Sequence, residues 1–215
     1  MEIYETEEEQ VAALKAWWKE NSQSAVIGLG LGIALIFGWN FWQDYQKDQA
    51  NQASALYSQL LKAAEANNAD SVQKLAEKLR AEFKNTDYAG YSGLMEAKIK
   101  AMQGDITGAK VLLEQVAADS DKEIRNIATI RRVRLMMANK EYEQGLAVIN
   151  AIDPASTASF SGEYDELTGD LYLALDRPDQ ARTSYQSALR NGLQSPLLAM
   201  KIDDLTLPEK VETKK

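Results

Sequence analysis

The sequence predicts an all-α protein in which a single N-terminal transmembrane helix precedes a stack of paired helices, an α-solenoid. Two observations carry this prediction. Residues 21–43 contain no charged side chain, and an α-helix needs about 20 apolar residues to cross the ~30 Å hydrocarbon core of a bilayer. Farther along, helical spacings of apolar residues recur with a period of 36 residues, and no segment shows a convincing strand pattern.

The composition excludes several classes of function. The chain has no Cys and no His, so thiol nucleophiles, imidazole bases, disulfides and the usual zinc ligands are all missing. Its formal net charge is −8, and affinity for nucleic acid comes mainly from neutralising phosphates. We therefore expect no enzymatic activity, no cofactor, no metal and no nucleic-acid partner.

Residues 1–24 form an acidic lead that we expect to be a short, cytosolic amphipathic helix. Thr6 and Glu9 have the spacing of a capping box, and Leu14 and Trp18 follow on one face. The lead is either a contact surface of its own or simply the start of the membrane helix.

Residues 25–42 are the predicted transmembrane anchor. Trp17 and Trp18 precede it, and Trp39 and Trp42 lie at its end, so two aromatic pairs are separated by about one bilayer thickness. The acidic start and the absence of a small-residue cleavage site argue against a cleaved signal peptide.

The charges around the anchor only weakly indicate its direction. Lys15 and Lys19 precede it and Lys47 follows it, a slight positive-inside bias for a cytosolic N-terminus. Within the anchor, Gly30, Ala34 and Gly38 recur at every fourth position. Such small residues allow a partner helix to approach closely, although glycine is also simply common in membrane helices.

After the anchor, the polar chain contains no helix breaker before residues 67–68, which predicts a helix that continues to about Glu65. Asp70 and Gln73 give a capping signal for the next helix. The apolar face of that helix consists of Val72, Ala76 and Leu79.

Three later helices carry a triplet of core residues at positions i, i+4 and i+7, which share one helical face. The triplets are Ala109, Leu113 and Val116; Gly145, Ile149 and Ile152; and Ala181, Tyr185 and Ala188. Turns at residues 103–105, 139–141 and 176–179 separate the helices of each pair. Together with the Thr-Gly-Asp-Leu-Tyr run at residues 168–172, this pattern resembles the tetratricopeptide repeat.

The resemblance implies three to four helix pairs within a tetratricopeptide-like domain at residues 43–205. Ser195 and Pro196 form a helix start, and the helix that follows would cap the stack. Residues 206–215 are predicted to be a disordered tail.

Projection of the repeat predicts that the first helix of each pair lines a concave face that binds partners. The face is apolar and graded from basic to acidic, which suits an extended or helical polypeptide. The alternative is that the chain's own flanking helices fill part of it. The predicted face consists of Tyr91, Leu94, Lys98, Met102, Ile127, Ile130, Arg134, Met137, Glu163, Glu166 and Asp170.

The two ends of the chain point to a family. The opening MEIYETE at residues 1–7, the anchor ending in Gly38 and Trp39, and the closing MKIDDL at residues 200–205 resemble the YfgM family of ancillary Sec translocon subunits. The resemblance implies a single-pass protein of the bacterial inner membrane, with a cytoplasmic N-terminus and a periplasmic repeat domain.

The same resemblance implies the partners. They are the SecYEG translocon, a PpiD-like membrane-anchored chaperone and unfolded, translocating polypeptide, with membrane lipid around the anchor. The protein would help to pass translocated clients to periplasmic chaperones. A tetratricopeptide scaffold for another envelope assembly complex is the alternative.

Overall fold

The structure, a computed structural model, describes residues 7–157 and 159–205. Every regular element in these ranges is helical, which confirms the all-α prediction. The predicted N-cap Thr6 and the predicted tail 206–215 lie outside the described residues. The elements are α1 Glu7–Glu65, α2 Ala69–Glu82, α3 Asp87–Met102, α4 Ile106–Asp119, α5 Lys122–Ala138, α6 Tyr142–Asn150, α7 Ser161–Ala174, α8 Pro178–Arg190 and α9 Pro196–Asp204, with a short 3-10 helix at Pro154–Ser156.

The chain divides into two compact units, Met1–Asn51 and Gln52–Lys215. The described part of the first unit is α1 up to its division point, and its apolar side chains are exposed; Leu35 and Phe41 are 73% and 77% accessible. By length and composition, one helix in the described part of the chain, α1, is able to cross a membrane. Apolar side chains exposed along such a helix are suited to contact with lipid.

Side-chain caps fix the starts of several helices in the second unit. The side chains of Asn68, Asp105, Asp121 and Ser195 accept a hydrogen bond from the backbone N–H three residues onward, which satisfies a donor that the helix leaves free. The cap predicted at Asp70 is wrong, because Asn68 caps α2 and Asp70 lies in its first turn.

The second unit is a stack of helical hairpins. Each helix from α2 onward packs on the next, while α3 also packs on α5 and α5 on α7. The last turns of α1 pair with α2 through a shared apolar cluster that includes Ala53, Leu60 and Leu79. The described residues thus form four pairs, α1–α2 through this cluster and α3–α4, α5–α6 and α7–α8 by direct packing, with α9 packed on α8, which confirms the predicted solenoid.

The predicted triplets supply the core between helices. Val72, Ala76 and Leu79 are fully buried, as are Ala181 and Tyr185. The triplet of α4 is buried too, whereas in the α6 triplet only the glycine is buried and the two isoleucines that follow are half-buried. The shorter α6, which ends at Asn150, leaves its last triplet position outside the helix.

Small residues on the first helices allow the pairs to close. A Cβ atom built at Gly169 of α7 would lie 2.3 Å from Cε1 of Tyr185 on α8, and one at Gly93 of α3 would lie 2.4 Å from Cγ2 of Val116 on α4. Only glycine fits at such distances. The aromatic ring of Tyr185 therefore occupies the space that a side chain at residue 169 would need.

Buried polar groups connect successive pairs. Asn126 of α5 donates to the backbone carbonyl of Ser156 and accepts from the Tyr164 hydroxyl at 2.9 Å. Burial raises the pKa of Tyr164 to about 12, although a side-chain hydrogen bond with Thr129 acts in the opposite direction. Because Asn126 and Tyr164 are almost completely buried, these bonds hold α5 against α7 at a defined register.

The helix α9 closes the C-terminal end of the stack. Its Leu198 is fully buried, and its Lys201 ammonium contacts Glu166 at 2.9 Å and Asp170 at 2.7 Å. The Tyr185 hydroxyl donates a hydrogen bond to Oδ1 of Asp170 at 2.8 Å. Burial alone would lower the pKa of Lys201, but its bonds to Asp170 and Glu166 outweigh burial, and the pKa lies above its usual value.

We expect Gly169→Ala to destabilise the repeat domain by about 1–3 kcal/mol, because the new methyl group must displace a fully buried tyrosine ring. Gly145→Ala is the matched control, since its Cβ would come no closer than 3.1 Å to Leu171 and 3.3 Å to Val133, against 2.3 Å at Gly169. Urea unfolding of the full-length proteins in mild detergent, followed by circular dichroism, measures the difference. Equal midpoints for the two variants would refute the packing argument.

We expect Lys201→Met to weaken the attachment of α9 by about 1–2 kcal/mol, because two carboxylates lose their shared cation. Hydrogen exchange of the α9 amides should accelerate, whereas Lys74→Met, at an exposed position of α2, should leave it unchanged.

The ion pairs of Lys201 make the attachment of α9 sensitive to high pH. A raised pKa in the folded state means that the contribution of Lys201 is complete below the pKa of an unfolded lysine, about 10.4. It is lost as the pH rises through the higher folded value. Exchange of the α9 amides, corrected for intrinsic rate, should therefore respond more steeply to pH above about 10.4 in the native protein than in Lys201→Met.

Candidate interaction surface

Helices α3, α4 and α5 form an open groove of about 600 Å³, here termed the α3–α5 groove. Its volume is within the range of protein sites that bind ligands of drug size. Its lining consists of Leu94, Ala97, Lys98, Ala101, Met102, Ile106, Leu113, Arg131, Arg134 and Leu135.

The floor of the groove is apolar because helical spacing places core residues there. Leu94, Ala97 and Ala101 follow one another along a face of α3, and Leu113 of α4 lies behind them; of these, Leu94, Ala97 and Leu113 are buried. The two alanines on α3 are small and leave room between the helices. Met102, 66% accessible, lies at the exposed end of α3.

The rim of the groove is basic. Lys98 of α3 and Arg131 and Arg134 of α5 are exposed, and none of them forms an ion pair with a carboxylate of the described residues. Cations close to them in the sequence do form ion pairs: Lys100 pairs with Asp105, and Arg132 pairs with Glu114. The groove therefore combines an apolar floor with three cations that remain available to a ligand.

A smaller groove of about 280 Å³ lies beside it and shares two of its residues, Lys98 and Met102. Its lining consists of Leu61, Ala64, Glu65, Asn67, Met95, Lys98, Ile99 and Met102. Methionine side chains are flexible and polarisable and adapt to varied apolar partners. The two grooves meet at Lys98 and Met102 on the C-terminal half of α3, and the smaller one adds the polar residues Glu65 and Asn67 to its lining.

Three tyrosines form a cluster near the other end of α3. The ring centroid of Tyr57 lies 5.6 Å from that of Tyr88 and 6.2 Å from that of Tyr91. Burial raises the pKa of Tyr57 and the nearby Tyr91 acts in the same direction, whereas the Arg131 guanidinium opposes both. Arg131 therefore lies in the electrostatic range of this cluster as well as on the rim of the α3–α5 groove.

The structure brings together only some of the residues predicted for the concave face. Leu94, Lys98, Met102 and Arg134 line the α3–α5 groove, and Tyr91 lies in the tyrosine cluster. Two further apolar residues of the predicted face do not line the groove. Ile127 packs against the core cluster of α3, α4 and α5, and Met137 against that of α5 to α7.

The prediction that Ile130 lines the open concave face is wrong. This side chain is 5% accessible and lies in the core with Val133 and Tyr164. Its helix α5 packs against α3, α4, α6 and α7, so neighbours cover more of its circumference than a single-face projection assumes.

The acidic end of the predicted face is occupied by the chain itself. Glu166 and Asp170 bind Lys201 of α9, which is the alternative of a face filled by a flanking helix. Glu163 lies in the first turn of α7 and is half-buried. The open part of the surface is therefore confined to its basic portion.

Six lining residues of the groove are absent from the predicted face: Ala97, Ala101, Ile106, Leu113, Arg131 and Leu135. The projection considered only first helices, and so it omitted the contribution of α4. The sequence does contain a signal for Arg131. It lies three positions before Arg134, so the two residues share one face of α5 and should lie on the same surface.

The anchor residues belong to the first unit and are described separately. Ala34 and Gly38 line a shallow apolar depression of about 320 Å³ with Leu35, Trp39 and Trp42. A Cβ atom at Gly30 or Gly38 would meet no atom within 4 Å. Contact of this face with a partner helix stays a prediction.

A family model and named relatives each match most of this chain. Residues 15–207 match the family model described as a tetratricopeptide repeat-like domain. An Escherichia coli (strain K12) protein named ancillary SecYEG translocon subunit is 29% identical over 210 residues, which cover 96% of this chain and 100% of that protein. A Haemophilus influenzae protein of the same name is 30% identical over 201 residues, covering 93% and 97%.

Solved structures share the fold. "MamA RS-1 ArsTM double mutant" superposes with a TM-score of 0.55 at 15% identity, covering 73% of this chain and 84% of that chain. "MamA 41-end from Desulfovibrio magneticus RS-1" gives a TM-score of 0.54 at 14% identity, covering 73% and 85%. At such identities the likeness concerns the fold alone. The matching family model and the relatives confirm the family predicted from the two ends of the sequence and from its repeat. The chain belongs to the tetratricopeptide repeat-like family that includes the ancillary SecYEG translocon subunits.

Proposed function

We propose that this protein is an ancillary subunit of the Sec translocon in the bacterial inner membrane, where it associates with SecYEG through non-catalytic contacts. The observation that carries the proposal is the similarity to ancillary SecYEG translocon subunits along 93–96% of the chain. The similarity includes the anchor and the repeat domain together. A helix able to span a membrane and an open apolar groove are consistent with this role.

The finer proposal concerns the partners. The repeat domain holds a PpiD-like membrane-anchored chaperone or an unfolded, translocating polypeptide, and it helps to pass clients to periplasmic chaperones. The apolar floor and exposed methionine of the α3–α5 groove support this, because they suit reversible contact with varied polypeptide side chains. Tethering by the anchor raises the effective concentration of the groove near the translocon.

We also propose an orientation and a division of the chain. Residues 1–24 face the cytoplasm, residues 25–42 span the membrane, and residues 43–205 form the periplasmic domain. The lysines that precede the anchor, Lys15 and Lys19, support this direction. Gly30, Ala34 and Gly38 form the face that contacts a transmembrane helix of the translocon or chaperone, and their open surroundings permit close approach.

The orientation predicts a labelling pattern, and the Cys-free chain makes single-cysteine variants unambiguous. A membrane-impermeant maleimide should label Gln194→Cys in cells whose outer membrane alone is permeabilised. Gln10→Cys, the control on the other side, should react only after the inner membrane is opened. The opposite pattern would reverse the proposed topology.

Association with the translocon predicts recovery of SecYEG with the tagged, full-length protein in mild detergent. Gly38→Leu should reduce that recovery several-fold, because a bulky side chain keeps the partner helix at a distance. Gly32→Leu is the matched control, since residue 32 lies about 200° around the helix from residue 30. Recovery of another envelope complex without any Sec component would contradict the proposed function.

A further inference from the structure

Three cations without an ion pair cluster around the α3–α5 groove of an acidic chain. Other cations, such as Lys74 and Arg190, also lack an ion pair among the described residues, so the clustering on one apolar groove sets these three apart. Acidic residues outnumber basic ones, 32 to 24, and several other cations of the repeat domain pair with a carboxylate. Arg80 pairs with Glu96 at 2.6 Å, and Lys110 with Glu141 at 2.5 Å. Lys98, Arg131 and Arg134 have no ion pair among the described residues, although carboxylates are abundant.

The positions of these cations give the groove two basic walls. Lys98 belongs to α3, whereas Arg131 and Arg134 belong to α5 and share one helical face. Leu94 and Leu135 are among the apolar residues that line the same groove. A ligand seated there would place apolar groups against the floor and carboxylates against guanidinium and ammonium groups, and guanidinium groups bind carboxylates in bidentate geometry.

We propose that the α3–α5 groove selects polypeptide segments in which apolar side chains alternate with acidic ones, through pairing of those acids with Lys98, Arg131 and Arg134. The inference rests on the proposed function and names the class of polypeptide that the repeat domain holds. Basic segments are excluded, because they would leave the three cations facing like charges.

The shape of the surface favours a polypeptide over an anionic lipid. The adjoining smaller groove meets it at Lys98 and Met102 and adds apolar lining from Met95 and Ile99, with Glu65 and Asn67 as its own polar residues. An elongated surface with two methionines accommodates successive side chains of a chain better than one headgroup. Nucleic acid is disfavoured by the net charge of −8.

The test uses the full-length protein in phosphatidylcholine nanodiscs and three fluorescent 16-residue peptides, measured by anisotropy. Their apolar residues are identical leucines, and their polar residues are glutamate, glutamine or lysine. We expect the Leu/Glu peptide to bind about tenfold more tightly than the Leu/Gln peptide, with affinity falling as salt rises. The Leu/Lys peptide should bind more weakly still.

Charge reversal in the groove provides the decisive comparison. Arg131→Glu/Arg134→Glu should lose the Leu/Glu peptide and gain the Leu/Lys peptide, and the neutral Arg131→Gln/Arg134→Gln should lose the preference without reversing it. Lys74→Glu/Arg190→Glu, at exposed positions outside the groove, changes the net charge equally and should keep the native preference. The neutral double variant keeps the test valid if the reversed one does not fold.

Other outcomes would overturn the inference. Equal binding of the three peptides, or none, would remove the proposed selectivity. Short-chain phosphatidylglycerol that binds at Arg131 and Arg134 in place of the peptides would assign the groove to lipid, and self-association through it would assign it to a second copy. Recovery of SecYEG is a separate measurement, so loss of peptide selectivity with SecYEG retained would refute this inference alone.

Discussion

The repeat domain depends on close contact between a small residue on one helix of a pair and a large one on the next. At Gly169 and Tyr185 there is no space for even a methyl group, and Gly93 and Val116 meet in the same way two pairs earlier. These contacts set the distance between paired helices, and so they decide how the next pair stacks. The layer formed by α3, α5 and α7, and every surface on it, follows from that spacing.

The two ends of the stack are closed in different ways, which leaves a defined part of the surface open. At the C-terminal end, α9 buries Leu198 and places Lys201 between Glu166 and Asp170. At the other end, the last turns of α1 cover α2 with Ala53 and Leu60. The α3–α5 groove lies between these closures and is the largest of the grooves described here in this part of the chain.

The charged side chains of the repeat domain include some that form ion pairs between helices and some that remain open to solvent. Pairs such as Lys110 with Glu141 and Arg80 with Glu96 connect neighbouring elements and stabilise the stack, and each leaves its cation unavailable to a partner. Three cations of the α3–α5 groove are not used in this way. In the proposed role, apolar contact would give affinity with little selectivity, and these cations would supply the selectivity.

The sequence by itself determined the all-α class, the long apolar N-terminal helix, the helix pairs and the cap at Ser195, because these depend on local periodicity, hydropathy and capping chemistry. It also placed Leu94, Lys98, Met102 and Arg134 on one surface. Only the tertiary structure decided that Ile130 is buried and that Lys201 occupies the acidic end. Periodicity identifies the apolar face of a helix, but the number of neighbours that cover it is fixed by stacking, through contacts between residues far apart in the chain.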